Sequence, residues 1–148
     1  MLRLKTGNFG QAIWNSPTAL KSLGMSTIKF SADIKPVTFK RPDSNRKHRY
    51  DPKEYAAFKT VLGYIARVAM QGRAPLDCPL KFTAEIFNNL SPASRNLGDW
   101  DNHAKAICDA LNGICFVDDR QIVEGHVYLH QGTPHVEIEL EEINHVED

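Results

Sequence analysis

An α+β fold is predicted, a mixed sheet of about four strands with two principal helices packed on it. Two observations carry this expectation. Apolar residues recur at every second position in the segments that begin at Thr27 and Leu80 and again late in the chain. After Asp51 and around Ala104 they recur instead at helical spacing, and turn residues separate the two kinds of segment. At 148 residues the chain is about the size of one domain and long enough to bury its own core.

Taken in order, residues 1–25 carry Lys5 and Lys21, no acid and no clear period, and read as an extension or arm ahead of a domain at 26–148. Ile28, Phe30, Ala32 and Ile34 then alternate with Lys29, Ser31 and Asp33, as in a half-buried first strand. Asp51, Pro52 and Glu54 supply an N-cap, a first-turn proline and an acid at the third helical position. Phe58, Val61, Leu62, Ile65 and Val68 follow at helical spacing, and Gly72 and Pro75 mark the end of that helix. Leu80, Phe82, Ala84 and Ile86 form a second strand, and a loop from Asn88 to Gly98 leads into an acidic motif. Beyond the motif, Val127 and Leu129, then Val136, Ile138 and Leu140, read as two strands joined by a turn over Gln131–Pro134.

Zero net charge hides a polarity. Residues 1–50 carry ten Lys/Arg against two acids, and residues 99–148 carry two against twelve. That suggests a basic surface for a polyanion beside an acidic site for a cation, although two halves that simply pair would give the same count. The three cysteines, Cys78, Cys108 and Cys115, lack metal-ligand spacing and suit reduced thiols in a soluble, intracellular, cytoplasmic protein. No apolar run approaches the roughly 18 residues of a membrane span, and no secretory signal is evident.

The motif is "GDWDNHAKAICDALNGICFVDD", residues 98–119. Asp101 or Asn102 is placed to cap a helix that runs to Asn112, with Gly113 as its left-handed terminator. Ala104, Ile107, Cys108 and Leu111 fall on one side, and Asp101, Lys105, Asp109 and Asn112 form a stripe on the other. Asp99 and Asp101, two apart in extended chain, point the same way, while Trp100 points opposite as an anchor. "ICFVDD" reads as a brief apolar strand whose end turns Asp118 and Asp119 in opposite directions, so that one of them faces the site.

Carboxylates converging there would raise one another's pKa unless a cation neutralised them, and oxygen-only ligands favour Mg²⁺, with Mn²⁺ able to substitute, over zinc. A lysine beside such a cation suits phosphodiester hydrolysis, because it offsets charge on the pentavalent transition state. The competing reading makes each feature structural: a helix cap, an i,i+4 Asp101–Lys105 ion pair and an Asp118–Asp119 turn. His126, His130 and His135 late in the chain read as strand histidines rather than a zinc site.

"GDWDNHAKAICDALNG" followed by "FVDDRQI" resembles the RusA family of Holliday junction resolvases, whose signature reads D-x-D-N-x-x-K, then D-A-L, then D-D-x-Q-[IV]. The resemblance extends more loosely from about Lys29 to about Glu142 and implies a RusA-like fold. It implies that Asp99, Asp101 and Asp119 bind Mg²⁺, that Lys105 is catalytic, and that a homodimer nicks opposed strands of a four-way junction. Asn102, Asp109 and Asp118 are then supporting residues around the ligands. His103 departs from the family, which more often has Leu or another large residue after the Asn.

The stretch "KPVTFKRPDSNRKHRY" interleaves Lys35, Lys40, Arg41, Arg46, Lys47 and Arg49 with Phe39, His48 and Tyr50, as nucleic-acid-binding loops often do, with a solvated basic loop as the alternative. The expected function is accordingly a Mg²⁺-dependent, structure-selective endodeoxyribonuclease acting in DNA recombination and repair. Its rivals are a nuclease for flaps, forks or other branched DNA, and a non-catalytic DNA-binding protein with a structural acidic site.

Overall fold

The computed structural model describes residues 27–39 and 52–143. The 1–25 arm, the Asp51 cap and the basic residues Lys40, Arg41, Arg46, Lys47 and Arg49 lie outside the described residues. Four strands and two main helices appear, β1 (Thr27–Ala32), α1 (Pro52–Met70), β2 (Leu80–Asn88), α2 (Trp100–Leu111), β3 (Ile122–Gln131) and β4 (His135–Glu142), with a short 3-10 turn at Asp119–Gln121 before β3. The fold is α+β with a mixed sheet, as the two periodicities predict.

The alternating pattern produces the core directly. Leu80, Phe82, Ala84, Ile86 and Asn88 of β2 are all buried, and the residues between them are half-buried. Val136, Ile138 and Leu140 of β4 and Phe30 of β1 lie on the same buried face, each no more than 1% exposed. Leu62, Ala66, Ile107 and Leu111 from the two helices complete that core. Val136, Ile138 and Leu140 therefore belong to the interior.

The strand order is β1-β4-β2-β3. β4 runs antiparallel to both β1 and β2, whereas β3 runs parallel to β2. The last two strands are thus not a hairpin, because β2 lies between them. Their connection crosses the end of β2, where the Gly132 amide donates to the Asn88 carbonyl at 2.8 Å. The β2–α2–β3 crossover sets α2, with its acidic motif, against the sheet.

Three further expectations need correction. The first strand ends at Ala32, before Ile34. "ICFV" forms no strand: Phe116 makes isolated bridges to Leu76 and Asn112 and is fully buried. Gly113, at φ +80°, turns the chain back so sharply that its amide bonds the Phe116 carbonyl at 2.7 Å, leaving no length for a ladder. Val68, expected on the apolar stripe of α1, is 45% exposed, whereas Tyr55 on the same helix is buried at 8%.

Candidate active site

The N-terminus of α2 is held from two sides. The Phe39 amide donates to the Asn102 carbonyl at 3.0 Å, so the segment after β1 docks on the first turn of the helix. Gly98 stands at φ +93°, and a side-chain carbon there would come within 2.6 Å of a Thr38 methyl. Only glycine suits both the backbone angle and that approach. From the other side, His103 is 2% exposed and its Nε2–H donates to the Leu97 carbonyl at 2.9 Å.

α2 begins earlier than the sequence suggests. Trp100 is its first residue and Asp99 its N-cap, with no side-chain capping bond. Asp101 consequently lies in the first helical turn rather than in extended chain. Trp100 is 62% exposed and anchors nothing. Helix formation starts here because the Asp99 carbonyl already accepts from the Asn102 and His103 amides. Asp99 and Asp101 are exposed, and neither side chain has a hydrogen-bond or ion-pair partner among the described residues. Two acids at a helix N-terminus are electrostatically favourable by a few tenths of a kcal/mol to about 1 kcal/mol each.

One turn further along, the stripe of charges is realised with a different pairing. Lys105 donates to Asp109 Oδ1 at 3.2 Å, in place of a pair with Asp101. Asp109 Oδ2 accepts the Tyr55 hydroxyl from α1 at 2.6 Å. The Lys105 ammonium also lies 5.7 Å from the centre of the Phe39 ring, and Phe39 packs edge-on against Tyr55 at 5.9 Å. The hydrogen bond to Asp109 and its negative charge raise the Lys105 pKa, with Asp119 adding to the attraction. The lysine is therefore cationic across the physiological range.

Asp118 and Asp119 divide their roles. Asp118 caps the 3-10 turn by accepting the Arg120 amide at 3.0 Å, and its own amide donates to Gln121 Oε1 at 2.9 Å. That hydrogen bond from Arg120 lowers the Asp118 pKa. Gln121 Nε2 in turn donates to the Leu76 and Cys78 carbonyls at 3.0 and 2.9 Å, pinning the turn to the segment that enters β2. Both acids feel the Lys105 charge, and Asp119 also feels that of Asp109; partial burial, then its hydrogen bond with Asp118, raise the Asp119 pKa. Lys105, Asp109 and Asp119 are thus brought together, with Asp99 and Asp101 at the helix start below them. Among the described residues no three carboxylate, imidazole or thiol groups already converge as a metal cage.

Tyr55 and Gln121 are site residues that sequence reasoning missed. The Q of the D-D-x-Q signature marks Gln121, whereas no local pattern marks Tyr55, which meets Asp109 from 54 positions away. Lys35, the described member of the basic stretch, is exposed. The three late histidines each pair with a different glutamate, His126 with Glu124, His130 with Glu85 and His135 with Glu137.

His103 makes a pH prediction. Donation from Nε2 leaves Nδ1 as an acceptor, and Nδ1 is buried without a partner among the described residues. Burial lowers the imidazole pKa below its ordinary 6.5. The unfolded chain therefore takes up a proton that the folded protein resists, so stability present above about pH 6.5 is lost as pH falls towards the depressed folded value. Thermal melting should show this acid loss in the wild type and less of it in His103→Leu, which also removes the unsatisfied nitrogen. Parallel pH curves for the two proteins would assign the loss elsewhere.

Comparison with known proteins places the chain beside a family and a relative. The family model described as endodeoxyribonuclease RusA matches residues 33–141, most of the chain and all of the site above. A relative, the uncharacterized protein YqaN of Bacillus subtilis (strain 168), is 26% identical over 144 residues, covering 81% of this chain and 99% of its own length. No described helix is long and apolar enough to cross a membrane.

Proposed function

Because the chain belongs to the RusA endodeoxyribonuclease family, we propose that it resolves four-way DNA junctions by paired, symmetric nicks, with Mg²⁺ as cofactor and as a homodimer. The observation that carries the reading is the cationic Lys105, held among Asp109, Asp119 and the Phe39 ring beside two exposed carboxylates. A solvated ion pair would not need a buried tyrosine and an aromatic face to hold it.

The donor set fits a hard divalent cation. Asp99, Asp101 and Asp119 offer only oxygens, and Asp119, whose pKa partial burial raises, stands among neighbouring carboxylates whose charge a cation would relieve. Asp99 and Asp101 are exposed side chains that can turn towards it. When bound, Mg²⁺ supplies polarisation of the phosphoryl oxygen and activation of water. The remaining work belongs to the chain. Lys105 offsets negative charge on the pentavalent phosphoryl group, and Asp109 fixes the ammonium's direction. The Asp118–Gln121 turn sets the position of Asp119, and Lys35, Lys40, Arg41, Arg46, Lys47 and Arg49 contact DNA phosphates.

One constellation per chain cuts one strand, so paired nicks need two subunits, most simply related by a two-fold axis. The test is a substrate panel in Mg²⁺ with light scattering on the same sample. The expected result is a dimer of the 16.7 kDa chain that nicks a synthetic four-way junction at symmetric positions and spares linear duplex. Preferential cutting of flaps or forks would move the assignment to another branched substrate. A strict monomer making symmetric cuts would refute the dimer.

A further inference from the structure

Tyr55 lies outside the acidic motif, on the first turns of α1, yet its hydroxyl reaches the motif's Asp109 at 2.6 Å. Such a short bond to a carboxylate is charge-assisted and directional. It occupies Oδ2 and leaves Oδ1 for Lys105 at 3.2 Å. The aspartate is thus gripped on one oxygen by α1 and presents the other to the ammonium. Phe39 completes the arrangement by packing on both partners, edge-on to Tyr55 and under Lys105.

Resting on the junction-cleavage reading above, we propose that Tyr55 is a positioning residue, whose hydroxyl locks the Asp109 carboxylate so that Lys105 is aimed at the scissile phosphate. Without the hydroxyl the carboxylate turns about its side-chain torsions, and the lysine, 48% exposed, follows it or swings into water. A catalytic group misplaced by about 1 Å loses about a hundredfold in rate. The hydroxyl itself touches no reacting atom. Its partner lies on the face of α2 opposite the buried Ile107 and Leu111, so the bond joins the start of α1 to the charged stripe.

Tyr55→Phe removes the hydroxyl and keeps the ring that packs on Phe39. Single-turnover junction cleavage should fall about ten- to a hundredfold, with junction affinity and thermal midpoint near wild type. Asp109→Asn should show a comparable fall, and Tyr55→Phe added to Asp109→Asn should cost nothing more, since the two act as one unit. A wild-type rate for Tyr55→Phe, or fully additive losses, would overturn the proposal. So would a rate loss matched by equal losses of affinity and melting temperature, which would mark a merely structural role. A readout independent of cleavage is the Lys105 ammonium resonance in ¹⁵N-lysine protein, assigned through Lys105→Arg. It should lose protection from solvent exchange in Tyr55→Phe, and an unchanged signal would refute the positioning role. An inactive wild type would sink the junction-cleavage reading, while the ammonium signal would still decide the role of Tyr55.

Discussion

Asp101→Asn is expected to lower junction cleavage at least about a thousandfold while leaving junction binding intact, because it deletes one proposed cation-binding charge and almost nothing else. The side chain is exposed, and neither an ion pair nor a hydrogen bond to it is present among the described residues. Helix capping is untouched, since Asp99 occupies the N-cap. Loss of one acid from the first turn costs at most about 1 kcal/mol through the helix dipole. A thousandfold corresponds to about 4 kcal/mol of transition-state stabilisation, well beyond what such a structural effect could transmit. Gel shift and cleavage on one preparation separate the two quantities. Retained cleavage would remove Asp101 from the ligand set, and lost binding would show that the substitution perturbs more than the charge.

Local pattern carried much of this fold. Phe30 in β1, the Leu80–Ile86 alternation in β2 and Phe58, Leu62 and Ile65 in α1 each report burial through one repeated period and are buried as expected. The Asp101–Lys105–Asp109 stripe was legible for the same reason, because helical spacing alone aligns those positions. Where pattern failed, distant partners decided. β2 lies between β3 and β4 through pairings that no short turn encodes. Phe116 reads as strand from its apolar neighbours but fills the core beside Leu76, since a short apolar run does not distinguish a strand from a buried plug. The start of α2 shifted to Trp100 because the Asp99 carbonyl can close the first turn without any side-chain cap. The competing reading paired Lys105 with Asp101, but Lys105 pairs with Asp109, which a buried tyrosine from another helix also holds.

Removal of divalent cation should have the largest effect of all. Asp119 carries a carboxyl whose pKa is raised by partial burial and by its hydrogen bond with Asp118. Asp99 and Asp101 add two more acids at the helix start. A phosphodiester brought to this surface meets several carboxylates, more negative charge than the single ammonium of Lys105 balances. Chelation should therefore stop the chemistry without unfolding the protein, as the core is built from apolar side chains and none of these acids belongs to it. The direct measurement is the single-turnover cleavage rate of a synthetic four-way junction as Mg²⁺ is titrated into chelated protein. The rate should rise from undetectable to a plateau, with Mn²⁺ able to replace Mg²⁺ and paired symmetric nicks as product. Cleavage that persists undiminished in excess EDTA, or a folded wild type that binds the junction but cuts it with neither cation, would contradict the account.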